Sequence, residues 1–309
     1  MRILVTGGAG FIGSHIVEHF QGQAEIRVLD NLRSGYEKNI APFKVEFHRG
    51  SILDEEILKR AMDGVDYVFH LAAMISVPES MHKPVECVNI NTIGTLKVLE
   101  AAAQAGVKKL CLSTSAAIYG DNPVVPKLES MFPEPKSPYA ETKLSGEYYC
   151  GIYTSERNLP TACLRYFNVF GPRQDPNSQY AAAIPIFISR AVKNQPITIF
   201  GDGEQTRDFI YVKDIAAANA FFAMKTAGTG VFNVAYGGRI TIKNLAEKII
   251  ELTDSKSEIV YLPEREGDVK HSMACIDKLQ TTGFQPTSNF SDGLAATIAF
   301  FTGKGCKNG

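Results

Sequence analysis

The chain has 309 residues, of which 45% are hydrophobic and 21% are charged, and its formal net charge is -1. This composition is ordinary for a globular protein with a large core, and it excludes a strongly basic protein that binds nucleic acid or anionic lipid through its overall charge. Any anion site must therefore be built locally, from a few arginines and backbone amides. We expect neither a nucleic acid nor a membrane as a partner.

The six cysteines have no C-x-x-C or similar metal-ligand spacing, and most lie inside apolar runs. This pattern indicates reduced structural thiols in a reducing compartment, and it predicts no metal site. The N-terminal sequence MRILVTGGAG enters a β-type run at once, without an apolar signal stretch. No segment is long enough to span a bilayer. We therefore expect a cytoplasmic protein.

Short apolar β-type runs alternate with helical patterns through the first 165 residues. The β-type runs occupy residues 2–6, 26–30, 45–48, 67–70, 109–113 and 161–165. Helical periodicity occupies residues 11–20, 55–62, 85–105 and 139–156. Alternation of this kind predicts right-handed β-α-β units and a parallel sheet covered by helices on both faces. Ligands of such sheets bind at the carboxyl ends of the strands.

The pattern changes after Arg165, where glycine and proline become frequent and the strict alternation ends. Here we predict helices over residues 184–193 and 242–253, and short strands over residues 197–200, 209–212 and 231–235. No low-complexity linker separates the two parts, so we expect a cleft between them. The predicted division is a first domain over residues 1–166 and a smaller α/β substrate domain over residues 167–309, with part of the chain returning to the first domain.

The run GGAGFIG at residues 7–13 lies between the first predicted strand and the first predicted helix. Gly7, Gly10 and Gly13 permit a tight turn, a close approach of the backbone to a pyrophosphate, and close packing of the helix on the strand. The helix N-terminus adds free N–H groups and a partial positive charge. Asp30 ends the next strand, where a carboxylate binds a ribose diol and repels a 2′-phosphate. The sequence therefore predicts an α/β protein with a Rossmann-type doubly wound parallel sheet that binds NAD in preference to NADP.

Tyr139 and Lys143 form a Y-x-x-x-K pattern, which puts both side chains on one face of a predicted helix. Ser115 follows the predicted strand over residues 109–113, so all three residues are expected to converge at the strand ends. A tyrosine with the reference pKa of about 10 is a poor base at pH 7, but a nearby positive charge lowers a pKa by roughly 1–3 units. We expect Lys143 and the nicotinamide ring of NAD together to let Tyr139 remove a proton from a substrate hydroxyl. Ser115 can donate to, or relay from, the same oxygen.

Seven motifs in order resemble the extended short-chain dehydrogenase/reductases and, within them, the UDP-hexose 4-epimerases. The motifs are GGAGFIG, HLAA (70–73), STSAAIYG (113–120), SPYAETK (137–143), LRYFNVFGPRQ (164–174), IFGDGEQTRDFIYVKD (199–214) and REGDVKHS (265–272). The resemblance is nearest to bacterial UDP-N-acetylglucosamine 4-epimerases. It implies an isomerase that inverts a UDP-hexose at C4 through a 4-keto intermediate with bound NAD.

The resemblance also assigns roles to individual residues. Ser115, Tyr139 and Lys143 match the catalytic positions. The positions that match NAD contacts are Gly7, Gly10, Phe11, Ile12, Gly13, Asp30, Asn31, Ser51, Ile52, Leu71, Ala72, Ala73, Asn91, Tyr139, Lys143 and Tyr166. The positions that match substrate contacts are Val77, Ser115, Asn168, Ala182, Phe200, Arg207, Arg265, Asp268 and Ser272.

The residue types at the substrate positions suit a uridine diphosphate. Two arginines, Arg207 and Arg265, match a diphosphate, and Phe200 gives uracil an apolar face. Without the resemblance, an ion pair of Arg207 with Asp208 or Asp214 is the competing interpretation.

Three positions bear on specificity. Many members of the family carry Asp at the position of Ser51, beside the adenine, and Asn at the position of Ala182, near the substrate. At the position of Ser272, members restricted to UDP-glucose and UDP-galactose carry a tyrosine, and members that accept N-acetylated sugars carry a small residue. The resemblance therefore implies activity on UDP-N-acetylglucosamine and UDP-N-acetylgalactosamine, with the plain hexoses as further substrates.

Two other functions compete with epimerisation. Dehydratases that resemble this chain carry an Asp-Glu pair directly after the Ser115 position, and UDP-glucuronate decarboxylases tend to carry an acid there. This chain has Ala116 and Ala117, which cannot transfer protons. A non-catalytic NAD-binding protein is the second alternative, but such relatives typically lose the tyrosine or the lysine, and both are present here.

The family commonly forms homodimers through two long helices of each subunit. These helices correspond here to residues 85–105 and 139–156. Both carry enough apolar positions for a four-helix interface, although the same positions also suit ordinary core helices.

Overall fold

Parallel strands form the centre of the computed structural model, as the alternation of elements predicts. The structure describes residues 1–176, 182–264 and 270–303. Within these ranges the strands are β1 (Arg2–Thr6), β2 (Glu25–Asp30), β3 (Glu46–Arg49), β4 (Tyr67–His70), β5 (Lys109–Ser115), β6 (Thr161–Tyr166), β7 (Val169–Phe170), β8 (Ile197–Phe200), β9 (Thr206–Arg207), β10 (Ile210–Tyr211), β11 (Gly230–Val234), β12 (Ile240–Thr241) and β13 (Ile259–Leu262). In the order β11-β6-β5-β4-β1-β2-β3, seven of them form one parallel sheet. The others form two-stranded pairs, β10 with β7, β12 with β9 and β13 with β8.

Helices cover both faces of the sheet. In the described ranges they are α1 (Phe11–His19), α2 (Glu55–Met62), α3 (Val77–His82), α4 (Pro84–Val88), α5 (Gly94–Gln104), α6 (Pro138–Glu156), α7 (Ala183–Val192), α8 (Val212–Met224), α9 (Ile242–Thr253), α10 (Asp277–Thr281) and α11 (Phe290–Phe301). Short 3-10 turns occupy Glu37–Asn39 and Ala116–Tyr119, and a π-helical turn, Asn89–Ile93, joins α4 to α5. The Rossmann-type α/β class predicted from the sequence is confirmed.

The central strands are buried on both faces, which explains their continuous apolar runs. Ile3 and Val5 of β1 belong to the core beneath α1 and α8, whereas Leu4 belongs to the core beneath α2, α5 and α6. All three side chains are fully buried. A third apolar core, which includes Phe187 of α7 and Leu245 of α9, lies beside β8.

The second part of the chain contributes to the sheet of the first. Strand β11 pairs in parallel with β6, and α8 packs against α1 and β5. The strand predicted over residues 209–212 is wrong in part, because only Ile210–Tyr211 is a strand and Val212 begins α8. Helix α8 is apolar around most of its circumference, with Ile215, Ala218 and Phe222 fully buried. A helix of this kind has no amphipathic period by which a sequence pattern could identify it.

Helix α6 begins where the sequence predicts, and its start is fixed by a cap. The Ser137 hydroxyl accepts a hydrogen bond from Ala140 N at 3.2 Å, and Pro138 occupies the first turn. Serine is favoured at the N-cap because its hydroxyl accepts a hydrogen bond from an N–H that has no helical partner. Proline is favoured at the first helical position because it has no N–H to leave unpaired there. The cap therefore fixes the first helical turn, which contains Tyr139.

The helix predicted over residues 85–105 consists of two α-helices, α4 and α5, joined by a π-helical turn. Its π-helical turn contains Asn91, whose side chain is buried. Asn91 Oδ1 accepts from Met74 N at 2.7 Å, and its Nδ2 donates to Met74 O and to Thr142 Oγ1 at 3.0 Å each. A π-turn of this type often occurs at functional sites, and here it ties the segment after β4 to α6.

Five cysteines lie in the described residues, and all are unpaired thiols. Cys87, Cys111, Cys150 and Cys163 are buried, and Cys275 is half-buried. Among the described residues, no group of histidine, cysteine, aspartate or glutamate side chains could hold a metal ion. None of the described helices combines the length and the apolar character needed to cross a membrane.

His70, at the end of β4, is expected to make the protein sensitive to acid. Its Nδ1 lies 2.7 Å from Thr6 Oγ1 and its Nε2 lies 3.0 Å from Thr95 Oγ1, and burial lowers its pKa from 6.5 to about 3. The unfolded chain therefore binds a proton below about pH 6.5, whereas the folded protein does not until about pH 3. The stability that the neutral imidazole provides is complete above pH 6.5 and is lost as the pH falls through this window.

We expect His70→Gln to flatten the fall in unfolding free energy between about pH 7 and pH 4.5. Glutamine does not titrate and can still bond to a threonine hydroxyl, so the variant should lose stability at pH 7 but lose less on acidification. Urea unfolding of both proteins across this range measures the effect. Parallel stability curves would contradict the assignment of acid sensitivity to His70.

Candidate active site

A cavity of about 1450 Å³ lies at the carboxyl ends of β1, β2, β4, β5 and β6. Its opposite wall is formed by residues of α7, β8 and β9. Cavities for a single small ligand usually measure about 300–1,000 Å³. This cavity therefore has room for a dinucleotide and a second ligand of nucleotide size, in the cleft predicted between the two parts of the chain.

The glycine loop after β1 forms one end of the cavity. Gly7 has a φ of +72°, and a Cβ added there would lie 2.7 Å from Ala72 N. A Cβ at Gly13 would lie 2.2 Å from Gly7 O. Only glycine permits this turn and this close packing of α1 on the loop. Gly10 is the N-cap of the nine-residue helix α1, so the free N–H groups of that helix are available to a pyrophosphate at the cavity wall.

Asp30, the last residue of β2, has a fixed carboxylate. Its Oδ2 accepts from Ala9 N at 3.0 Å and its Oδ1 accepts from Leu32 N at 2.8 Å. Burial raises the pKa of this carboxyl, and the two backbone hydrogen bonds counteract that rise. Each oxygen keeps an acceptor site for a ribose hydroxyl. Together with the glycine loop, this arrangement fits the adenosine and pyrophosphate of NAD.

Nearly all the residues predicted to contact NAD line this one cavity. They are Gly7, Gly10, Phe11, Ile12, Gly13, Asp30, Asn31, Ser51, Ile52, Leu71, Ala72, Ala73, Tyr139, Lys143 and Tyr166. Ser51 Oγ accepts from Leu53 N at 3.2 Å and so stabilises its own turn. Asn91 does not line the cavity. Its buried side chain is hydrogen-bonded to Met74 and Thr142 instead. We therefore interpret Asn91 as a residue that holds the wall of the site.

Ser115, Tyr139 and Lys143 converge at the centre of the cavity, as predicted. Ser115 ends β5, and its hydroxyl accepts from Ala117 N at 3.1 Å. The same hydroxyl lies near enough to Tyr139 to lower the pKa of the phenol. Tyr139 lies in the first turn of α6, and Lys143 follows one turn later. Lys143 Nζ donates to Ser113 O at 2.9 Å and lies 5.8 Å from the centre of the Tyr139 ring.

Burial decides the pKa values of Tyr139 and Lys143. It raises the pKa of Tyr139 above the usual value, and the nearby Ser115 hydroxyl counteracts this only in part. Burial lowers the pKa of Lys143 to about 8. The expectation that Lys143 lowers the pKa of Tyr139 is therefore not met by the protein groups alone, because desolvation of the phenolate outweighs its stabilisation. NAD bound beside Tyr139 would add the positive charge of its nicotinamide ring to that of Lys143.

A buried ion pair that the sequence did not predict lies beside Ser115, Tyr139 and Lys143. Glu147, one turn after Lys143, binds Arg165 of β6 through two bonds of 2.8 and 2.6 Å. Thr114 Oγ1 donates to the same carboxylate at 2.8 Å, and the charge of Glu147 raises the pKa of Lys143. The pair ties α6 to β5 and β6 next to Ser115. A glutamate on a helix resembles a surface residue in sequence, so only its four-residue spacing from Lys143 could have signalled this role.

The predicted substrate residues of the described ranges line the same cavity, mostly on its opposite wall. They are Val77, Ser115, Asn168, Ala182, Phe200, Arg207 and Ser272. Arg265 and Asp268 lie outside the described residues. Asp208 accepts from Tyr236 N and Ala274 N, at 3.2 and 3.1 Å. Asp214 accepts from Thr287 N and Ser288 N, so both carboxylates that competed for Arg207 have backbone partners.

The model of the NAD dependent epimerase/dehydratase family matches residues 3–235. The chain belongs to this family. It is 42% identical, with a TM-score of 0.94, to the UDP-N-acetylglucosamine 4-epimerase from Methanobrevibacter ruminantium in complex with UDP-N-acetylmuramic acid, covering 98% of each chain. It is 38% identical, with a TM-score of 0.89, to the UDP-glucose 4-epimerase of Thermus thermophilus in complex with NAD, covering 98% of this chain and 99% of that one.

Curated relatives in the family have two kinds of activity. A UDP-glucose 4-epimerase from Mycolicibacterium smegmatis is 34% identical over 98% of this chain and 99% of its own. A UDP-glucuronic acid decarboxylase 1 from Xenopus tropicalis is 32% identical over 97% of this chain and 72% of its own. The protein is an NAD-dependent isomerase of the epimerase/dehydratase family, as the sequence predicted.

The geometry at Asp30 predicts which nucleotide stays with the protein through purification. A buried, fixed carboxylate at the ribose repels a 2′-phosphate, and an isomerase returns its cofactor to the starting state after each cycle. We expect NAD or NADH, and little NADP, in the supernatant after heat denaturation of the purified protein. Chromatography of that supernatant identifies the nucleotide. Mainly NADP(H) would show that Asp30 does not set the preference.

Proposed function

We propose that the protein is a UDP-hexose 4-epimerase that interconverts UDP-N-acetylglucosamine and UDP-N-acetylgalactosamine, with UDP-glucose and UDP-galactose as a second pair of substrates. The observation that carries this proposal is the convergence of Ser115, Tyr139 and Lys143 in a cavity that has room for both NAD and a nucleotide sugar. Likeness to 4-epimerases over nearly the whole chain supports it.

The three catalytic side chains have separate tasks in this proposal. Bound NAD supplies the reversible oxidation at sugar C4. Tyr139 removes the proton from the 4-hydroxyl and later returns it to the oxygen of the 4-keto sugar. Ser115 donates a hydrogen bond to the same oxygen, and Lys143 contributes positive charge beside the phenolate.

The other half of the cavity suits the UDP group. We propose that Arg207 binds the diphosphate and that Phe200 packs on the uracil ring, with Asn168 beside them. Asn168 Nδ2 donates to Asp208 O at 2.9 Å, which fixes its orientation. The proposed division of labour assigns residues 1–166 to NAD and residues 167–309 to the UDP-sugar.

Residues Ala116 and Ala117 argue against a dehydratase or a decarboxylase. Both line the cavity, in the 3-10 turn directly after Ser115. Neither methyl side chain can exchange a proton with the substrate, so the turn offers no acid or base for loss of water. A purely NAD-binding protein would not need the Ser115–Tyr139–Lys143 arrangement, which is complete here.

A substrate panel without added cofactor tests the proposal. We expect the purified protein to convert each N-acetylated UDP-hexose into an equilibrium mixture with its C4 epimer, as followed by proton NMR of the anomeric signals. UDP-glucose and UDP-galactose form the second arm. Formation of a 4-keto-6-deoxy sugar or of a UDP-pentose, or no conversion of any UDP-hexose, would overturn the proposal.

We also propose a homodimer formed by α4, α5 and α6. Helix α6 packs against α4 and α5, and exposed apolar side chains lie on the outer side of this group. Val85 is 82% exposed, Tyr148 is 61% exposed and Ile152 is 50% exposed. Pairing two such faces by a two-fold axis gives a four-helix interface and removes these side chains from water.

Charge placed on this face is expected to separate the subunits. The doubly substituted Val85→Asp, Tyr148→Asp variant should sediment as a 33.8 kDa monomer, because each dimer would bury four carboxylates. Phe132→Asp is the matched control, since Phe132 is also 82% exposed but lies outside these helices. A monomeric wild type, or a dimer that survives the double substitution, would refute the proposed interface.

A further inference from the structure

One wall of the cavity contains a buried lysine that none of the roles above uses. Lys127 lines the cavity and is only 4% exposed. It lies in the long connection between β5 and α6, opposite the segment that carries Ser272. Lys127 N donates to Met273 O at 2.8 Å, and Cys275 N donates to Lys127 O at 2.9 Å. The lysine is therefore held in register with the residues that follow Ser272.

The ammonium group of Lys127 is incompletely satisfied by the protein. In the part of the chain that the structure describes, its Nζ donates to the Asn122 carbonyl and to no carboxylate. An ammonium has three N–H donors, so two remain. Burial lowers the pKa of Lys127, and the more distant charge of Glu134 raises it. A largely buried cation without a charged partner is costly for a fold. A ligand in the cavity that accepts hydrogen bonds from the two remaining N–H groups would therefore be bound favourably.

The position of Lys127 relative to Ser272 indicates which ligand atom it meets. Lys127 pairs with Ala274, two residues after Ser272, and both Lys127 and Ser272 line the cavity. A 2-acetamido group beside Ser272 would therefore lie at the wall that carries Lys127. The acetamido carbonyl oxygen is a strong acceptor that projects beyond the position of a 2-hydroxyl. A plain hexose has no atom that reaches as far from the ring on this side.

We propose that Lys127 determines specificity by donating hydrogen bonds to the carbonyl oxygen of the substrate's 2-acetamido group. The inference rests on the proposed function, because it names the part of the UDP-hexose that this wall recognises. In this proposal the small side chain of Ser272 leaves space for the 2-acetamido group, and Lys127 binds that group. The two residues together favour N-acetylated sugars. Loss of one hydrogen-bond partner from a buried site is the kind of change that gives strong discrimination between substrates.

Lys127→Met tests the proposal, because methionine keeps the unbranched shape and removes the donors. We expect the ratio of kcat/KM for UDP-N-acetylglucosamine to that for UDP-glucose to fall roughly 10- to 100-fold, the range typical of a hydrogen bond to a charged group. The loss should be mainly in KM. Lys127→Arg keeps the cation and should retain more of the ratio than Lys127→Met. UDP alone, which has no hexose, should bind to wild type and Lys127→Met with equal affinity in calorimetry.

Three outcomes would overturn the proposal. An unchanged substrate ratio, or an equal loss on both substrates with a lower melting temperature, would make Lys127 a structural cap for the Asn122 carbonyl. Conversion of UDP-glucuronate by the wild type that is lost selectively in Lys127→Met would assign the ammonium to a sugar carboxylate. Failure of the proposed function itself is separate, since it appears as a wild type that epimerises no UDP-hexose.

Discussion

Replacement of Tyr139 by phenylalanine is expected to lower kcat by roughly 10²–10⁴-fold, the range typical of a lost general base, and to leave binding largely intact. The ring and its packing in the first turn of α6 remain, and only the hydroxyl beside Ser115 is removed. Lys143 cannot replace it as a base at pH 7, because its pKa of about 8 keeps the ammonium protonated and an ammonium has no acceptor. The measurement is steady-state turnover with UDP-N-acetylglucosamine, together with calorimetric titration of UDP.

The same helix provides a matched control. Tyr153→Phe removes an identical hydroxyl, one that donates to Glu100 Oε2 at 2.8 Å on the side of α6 away from the cavity. Its kcat should stay close to wild type. Lys143→Met should reduce kcat in the same direction as Tyr139→Phe, since the phenolate loses a nearby positive charge. Near-normal epimerisation by Tyr139→Phe would show that the assigned base is wrong.

The glycine loop and the sheet around it could be predicted because local and global signals agree there. The central strands are short apolar runs, since both of their faces are buried. At Gly7 and Gly13 a Cβ would meet backbone atoms, and at Asp30 the carboxylate accepts two backbone hydrogen bonds. Helix α6 could be placed because Ser137 and Pro138 mark its start by residue type.

The remaining features depend on contacts between distant parts of the chain. Helix α8 is buried nearly all round, so its sequence lacks an amphipathic period. The pairing of β11 with β6 joins residues more than sixty positions apart, and no local pattern encodes such a pairing. The register of Lys127 with Met273, and the pairing of Glu147 with Arg165, are likewise products of tertiary structure. The raised pKa of Tyr139 follows from burial, which a motif does not reveal.

Ser272 lines the part of the cavity that we propose holds the sugar. It is half-buried, and its backbone is held by the bond from Ser272 N to Thr206 O at 3.1 Å. On its other side, Lys127 binds the neighbouring residues Met273 and Cys275. These backbone bonds hold the segment on both sides. We therefore expect the volume of a bulky side chain at this position to be taken from the cavity.

Ser272→Tyr is accordingly expected to suppress turnover of UDP-N-acetylglucosamine roughly 5- to 150-fold while sparing UDP-glucose, because overfilling a packed site costs about 1–3 kcal/mol. The tyrosine ring and the 2-acetamido group require the same volume, whereas a 2-hydroxyl does not reach it. Coupled assays on the two substrates measure the change, and Ser272→Ala, which keeps the space open, should leave both reactions near wild type. Unchanged N-acetyl turnover in Ser272→Tyr, or a wild type that converts only the plain hexoses, would refute the steric argument. A large loss in Ser272→Ala would instead mean that the hydroxyl contacts the sugar, since that substitution removes an acceptor and a donor without adding volume.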